Sequence, residues 1–348
     1  MGKRKRKYIS DGVDVLQSFS ALEGSNNTKN KVHTLILGTM PSDKSFGNEL
    51  SPKDIILRGG SGPQNYGHAR NCFWNIVGSA FGFQRHRTPY AKQIEALTSQ
   101  GYAVWDVLQS AQRKGSLDSN IVKESQIPND IPKFILDHSD LNRLVFAANS
   151  AEIFSQKKVW GEWLETGVAM TRTTAQSPKD DDLNNTNAVV RVQFWMQDQE
   201  SNPDTFSRTH TIFGKKKGVV TASNVADVET RNQGKKRPIE LVVMPSTSPA
   251  NASNRPPEKE RKWHRACYGM REPSKEYICP GCELVNNQDK ETSPFFGKAL
   301  SSTSKEQHWF HDCPYREEWK RAKKNTKKMR AAKAPTNIED IDPFDWYM

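Results

Sequence analysis

Four short apolar runs constrain this chain more than any other feature: KVHTLILG (31–38), YAVWDVL (102–108), LNRLVFAANSAEIF (141–154) and IELVVMPSTSPANA (239–252). They are too short and too evenly apolar for amphipathic helices, and they read as strands buried on both faces. The third runs from strand into helix. Between the first two, ARNCFWNIVGSAFGF (69–83) sets Phe73, Ile76, Val77 and Ala80 at helical spacing. Strands alternating with helices predict an α/β protein of three layers, α/β/α, around a short central parallel sheet. Ligands of such sheets sit beyond the carboxyl ends of the strands. GTMPS (38–42) and PSTSPAN (245–251) fall at those ends.

Only 35% of the 348 residues are apolar and the mean hydropathy is −0.79, so the whole length is not expected to pack as one core. A core of roughly 150–200 residues with polar extensions fits better. The expected division is a basic, mobile tail over 1–30 and a domain formed by 31–160 and 237–270. An insertion occupies 161–236, and a polar basic extension runs over 271–348. No apolar run approaches the roughly 18–20 residues that span a bilayer, so no membrane partner is expected.

The start, MGKRKRKYIS, lacks the apolar stretch of a secretory signal. Its basic cluster is either a nuclear address or a solubilising tail, and the expected location is the nucleus or otherwise inside the cell. The net charge is +11. Lysine and arginine collect in 317–334 and 214–218, runs that attract phosphate backbones as readily as they form a solvated face. Five cysteines, an odd number, do not describe a disulfide framework.

The blocks LILGTMPSDKSF, YGHARNCFWNIVGSAFGF, YAVWDVLQSAQRKGSLDSNI and MPSTSPANA, in this order, resemble the uracil-DNA glycosylase superfamily. The likeness is nearest to the mismatch-specific and hypoxanthine-DNA glycosylase branch, and it covers less than half of the chain. It implies hydrolysis of the N-glycosidic bond of a deaminated base, uracil or hypoxanthine, in DNA. The target nucleotide is first flipped out of the duplex, which costs a few kcal/mol. Such a site must stack the base, grip phosphates, accommodate the leaving base and place one water.

The resemblance assigns roles to residues. Gly38, Thr39 and Met40 stand in the loop that faces the base, and Met40 replaces the acid or amide that holds the water in most members. Asn71 therefore becomes the candidate that positions water, or else it is an ordinary helix cap ahead of CFWNIV. Tyr66 stands where relatives carry the aromatic that stacks on the base, and its alternative is a cover for the core. His68 is a contact to phosphate or base edge, or a structural loop histidine. Phe73 and Trp74 are expected in the core.

Ser246, Thr247, Ser248, Pro249, Ala250 and Asn251 match the loop that pinches the DNA backbone, with Ser246 in place of a histidine and Ala250 in place of a leucine wedge. Asp106 and Ser110 are expected to line the pocket or hold its loops, and Arg113 to pair with Asp118. No lysine stands at the motif positions for a Schiff base, so strand cleavage is not expected.

His264, Cys267, Cys279 and Cys282 form H-x2-C followed by C-x2-C, residue types that suit zinc. His311 and Cys313 offer another arrangement. No cofactor is required by the proposed chemistry, and the expected partner is DNA with deaminated or mismatched bases, bound by a monomer. The competing reading is a non-catalytic nucleic-acid-binding or chromatin protein on a degenerate glycosylase fold.

Overall fold

The computed structural model describes residues 7–9, 13–24, 32–48, 50–115, 117–148, 151, 168–172, 192–196, 237–251, 254–270, 279, 308–330 and 346. The chain divides into two units, one of residues 1–43 and 97–245, the other of 44–96 and 246–348.

The first unit carries two sheets. The larger contains the four strands expected from the sequence: β3 (Thr34–Gly38), β4 (Tyr102–Asp106), β7 (Arg143–Phe146) and β10 (Arg237–Val243). They are parallel neighbours in the order β4-β3-β7-β10. Every residue of β3 is buried, as a strand covered on both faces requires. The protein is therefore α/β with a short parallel sheet, as the apolar runs predict. The chain leaves β3 toward β4 on one side and returns to β7 on the other, so a topological switch point falls at β3. Thr39–Pro41 follow β3 directly at that point.

Two expectations are corrected in this unit. The stretch 1–30, expected to be a mobile tail, supplies β1 (Lys7–Ile9) and β2 (Val13–Gln17). These build an antiparallel sheet, β1-β2-β5-β6, with β5 (Leu108–Arg113) and β6 (Ile127–Pro128). Leu16 is buried there, and Trp105 donates its indole N–H to the carbonyl of Phe19 at 3.0 Å. Alternation of Val13, Val15 and the small hydrophobic count was too slight a signal beside the lysines that precede it.

In 161–236, expected as an insertion apart from the domain of 31–160 and 237–270, β8 (Val168–Arg172) and β9 (Val192–Met196) pair antiparallel and continue the large sheet beyond β10. The acidic run at 177–187 and the lysines at 215–217 lie outside the described residues.

The second unit is helical. It holds α1 (Pro52–Arg58), α2 (Phe73–Phe81), α5 (Pro256–Ala266) and α6 (Arg316–Arg330). The chain also passes through α3 (Tyr90–Thr98) on its way back to the first unit, where α4 (Ile131–Asp137) follows β6. α1 starts on a reciprocal cap between Ser51 and Asp54, an arrangement that satisfies two terminal donors at once. α2 buries Phe73, Trp74, Ile76 and Val77 completely, and it ends at Gly82, whose φ of 78° suits the left-handed cap. Among the described residues no helix is long and apolar enough to cross a membrane.

Candidate functional site

In the first unit, the loop after β3 is fixed by its own main chain. The carbonyls of Gly38 and Thr39 accept N–H bonds from Val107 (2.8 Å) and Leu108 (3.0 Å). The Thr39 hydroxyl donates to Asp118 at 2.7 Å. Arg113 is buried beside them and donates to the carbonyls of Pro41 (2.6 Å) and Gly115 (2.9 Å), with Asp118 at 3.7 Å. The expected pairing of Arg113 with Asp118 is thus present, and the guanidinium also anchors the loop itself. Met40 is buried. Ser110 lies within β5, opposite Gln17 and Ile127.

Asp106 ends β4, in register with Gly38. Burial, reinforced by nearby Asp118 and only partly offset by Arg113, pushes its carboxyl up to about 7. A carboxyl so placed is half protonated near neutrality, a property that accompanies functional sites more often than plain structure.

In the second unit the stretch YGHARN is held from beneath. Arg85, 2% exposed, donates to the carbonyls of Asn71 (2.8 Å), Ala69 (3.2 Å), His68 (3.3 Å) and Tyr66 (3.4 Å). Burial lowers its pKa to about 10, which still leaves it charged at neutral pH. Gln93, fully buried, orients the arginine by donating to its carbonyl at 2.8 Å. This clamp was not anticipated. Arg85 lies in the polar run QRHRT, where arginines ordinarily face solvent, and nothing local marks one of them as internal.

Tyr66 adopts φ 54°, a left-handed conformation that costs a non-glycine residue roughly 1–3 kcal/mol. The Arg85 bond to its carbonyl and a ring stack on Phe73, with centroids 4.1 Å apart and planes at 22°, hold it there. The next residue must be glycine: a Cβ on Gly67 would lie 2.6 Å from the carbonyl oxygen of Gln64 and 2.8 Å from a nitrogen of Arg58.

His68 accepts the Arg70 N–H on Nδ1 at 3.0 Å, and burial followed by neighbouring Arg70 lowers its pKa. It is a neutral ring that keeps Nε2–H as a donor. Asn71 uses Oδ1 to accept the Phe73 N–H at 2.9 Å. This is a turn one residue ahead of the N-cap Cys72, not the helix cap weighed from the sequence, and it leaves the second lone pair of that oxygen and the NH2 group for other work.

The PSTSPAN loop is stitched to the same helix start. The Thr247 carbonyl accepts from the Cys72 N–H (3.1 Å) and from its thiol (3.3 Å). Ser246 and Ser248 accept the N–H groups of Ser248 and Ala250, both at 3.2 Å. Their hydroxyl protons can therefore be donated outward. Lys259 of α5 donates to the carbonyls of Ser248 and Asn251, both at 3.0 Å. Asn251 also donates to the Ser246 carbonyl at 3.4 Å, while Pro249 and Ala250 are exposed at the tip. So the structure joins Tyr66, His68, Asn71 and residues 246–251 within one unit, and Thr39, Asp106, Arg113 and Asp118 within the other.

The expected metal quartet is not assembled. His264 spends both ring nitrogens: Nδ1 accepts the Trp309 indole N–H at 2.8 Å, and Nε2 faces the Ile76 carbonyl at 3.1 Å and the Ser79 hydroxyl at 3.0 Å. An indole only donates, so Nδ1 has no lone pair left for a metal. Burial lowers the ring's pKa to about 4. His311 is paired with Asp312 at 2.8 Å. Cys282 lies outside the described residues.

Comparison with known proteins finds relatives over part of the chain. Over 90 residues, 26% of this chain and 48% of the relative, the sequence is 34% identical to a hypoxanthine DNA glycosylase of Methanosarcina acetivorans. It is 32% identical to a protein of the same name from Methanosarcina barkeri over an equal share. The chain spans about half the length of these curated relatives. A solution structure from Methanosarcina acetivorans, provisionally named a uracil DNA glycosylase, matches 43% of this chain and 79% of its own at 26% identity, with a TM-score of 0.32. No protein-family model matches the sequence. The likeness to the uracil-DNA glycosylase superfamily, on its hypoxanthine-DNA glycosylase side, thus holds over part of the chain.

Two outcomes test these environments. Arg85→Met leaves four carbonyls without their donor and is expected to destabilise the protein by about 3 kcal/mol or more in urea titrations, with Arg85→Lys intermediate. The folded pKa of Asp106 lies above its unfolded value of 3.8. Its contribution is therefore fully present below pH 4 and is lost as pH rises through 7, on the order of 4 kcal/mol at most. Asp106→Asn should remove that decline, so that wild type and variant diverge between about pH 4 and pH 7.

Proposed function

We propose that this chain is a monofunctional DNA glycosylase that releases deaminated bases, hypoxanthine or uracil, and leaves an abasic site. The 34% identity to a hypoxanthine DNA glycosylase is the single observation that carries the reading. The helical unit supplies parts suited to the chemistry. Tyr66, whose ring is stacked on Phe73, is the aromatic that would meet a flipped base, a contact worth roughly 1–3 kcal/mol. The strained backbone at this residue fits a position where loop geometry matters more than local comfort.

Glycosidic cleavage asks for a water held against a sugar that is gaining positive charge. The Asn71 amide oxygen already points along the start of α2, and its remaining lone pair can orient that water without accepting its proton. The Ser246 and Ser248 hydroxyls donate to phosphate oxygens, with Lys259 adding positive charge behind the loop. Serine stabilises a departing anion less than an imidazolium does, so slow release of uracil and better release of a purine is the expected preference.

The second reading, a protein that binds DNA without releasing a base, is favoured by one observation: the Asn71 oxygen is already engaged by the Phe73 N–H in the turn ahead of α2. Duplexes carrying uracil, hypoxanthine or a mismatch, incubated with the protein and then treated with alkali, decide between the two. Strand breaks at the lesion support the glycosylase, whereas intact strands with salt-dependent binding support the alternative.

Asn71→Ser separates the two duties of the side chain. A serine hydroxyl can accept the same Phe73 N–H, though more weakly than the amide oxygen, so Asn71→Ser should lose less stability than the roughly 1 kcal/mol expected of Asn71→Ala. Both variants should lower base release at least a hundredfold in single-turnover assays and leave DNA affinity nearly unchanged. A fully active Asn71→Ser would remove the residue from the mechanism.

A further inference from the structure

We propose that Cys279, His308 and Cys313 bind a zinc ion that fastens the C-terminal extension to α5. The ligand atoms of these three residues all lie within 4.8 Å of one another. In a tetrahedral zinc site with bonds of about 2.3 Å to sulfur and 2.0 Å to nitrogen, ligand atoms are about 3.5–3.8 Å apart. Small side-chain rotations therefore close the set around an ion. Two thiolates and an imidazole select zinc over the hard cations, which prefer oxygen.

The sequence adds an independent argument. CPGC (279–282) has the C-x2-C spacing of a zinc knuckle, and HWFHDC (308–313) returns a histidine and a cysteine well downstream. The set differs from either combination expected from sequence, because His264 is committed elsewhere and His308 takes the place given to His311.

The surroundings are built for such a site. Cys279 and Cys313 are buried with Phe310 and Trp319, and Tyr315 and Trp346 pack against them. The Phe310 and Trp319 rings meet edge to face at 4.8 Å. This cluster is small. Modules of that kind ordinarily fold on a metal or a disulfide.

The metal would also act at a distance. Trp309, next to His308, donates to His264 of α5, Arg265 sits over the Trp309 ring at 5.0 Å, and Arg261 pairs with Asp312 at 3.3 Å. An ion at His308 and Cys313 pins this strip to the helix that carries Lys259. The inference does not depend on the proposed base release.

Metal analysis of the purified full-length protein tests it. About one equivalent of zinc is expected. Cys279→Ser with Cys313→Ser, or His308→Ala, should lower it at least tenfold, and His308→Cys should restore it. Cobalt in place of zinc should give the visible bands of a tetrahedral thiolate site. Should the serine variants aggregate, alkylation of the wild type replaces them: Cys279 and Cys313 should be protected with metal and labelled once a chelator is added. Zinc below about a tenth of an equivalent after zinc supplementation, zinc unchanged in the variants, a Cys279–Cys313 disulfide, or equal labelling with and without chelator would each overturn the proposal.

Discussion

Beneath the YGHARN loop, one buried guanidinium holds four main-chain carbonyls, and most of the helical unit's local geometry traces back to it. A short loop that turns through a left-handed tyrosine directs several carbonyls inward, away from water. Only arginine can serve them together, because its planar fork presents five donors in fixed directions. With Arg85 in place, Tyr66 can stack on Phe73, Asn71 accepts the Phe73 N–H ahead of α2, and Cys72 meets Thr247. The strain at Tyr66 and the desolvation of Arg85 are two costs met by one set of hydrogen bonds.

The first unit solves a similar problem differently. There Arg113 also anchors a loop by its carbonyls, but it lies among Asp118, Asp43 and Asp106. The carboxylates favour the charged guanidinium, while burial and nearby Asp118, only partly offset by Arg113, leave Asp106 half protonated near neutral pH. Loops at the ends of parallel strands are where ligands gather, and both loops here owe their shape to an interior cation rather than to their own sequence.

How much of this was legible depends on the range of the interaction. The four strands could be read because continuous apolar runs report burial on both faces, and α2 could be read from the spacing of Phe73, Ile76 and Val77. Tyr66 and Asn71 were picked out by their residue types at the start of a helix, yet the dual use of the Asn71 oxygen needed coordinates. Arg85 was invisible because its partners are carbonyls, and main-chain atoms leave no trace in side-chain pattern. The proposed metal ligands show the same limit: spacing brought the right residue types to notice, but two histidines three residues apart, His308 and His311, could be told apart only by which ring lies beside Cys279 and Cys313. β2 was hidden behind a basic segment whose composition resembles a tail.

The seam between Cys72 and Thr247 has a chemical consequence. Burial raises the Cys72 thiol to about 11, so it remains S–H under all ordinary conditions and lends its proton to a carbonyl instead of becoming a nucleophile. A junction of this kind is indifferent to peroxide and to electrophiles that attack exposed thiolates. The helix start and the serine loop would therefore stay joined under oxidising conditions.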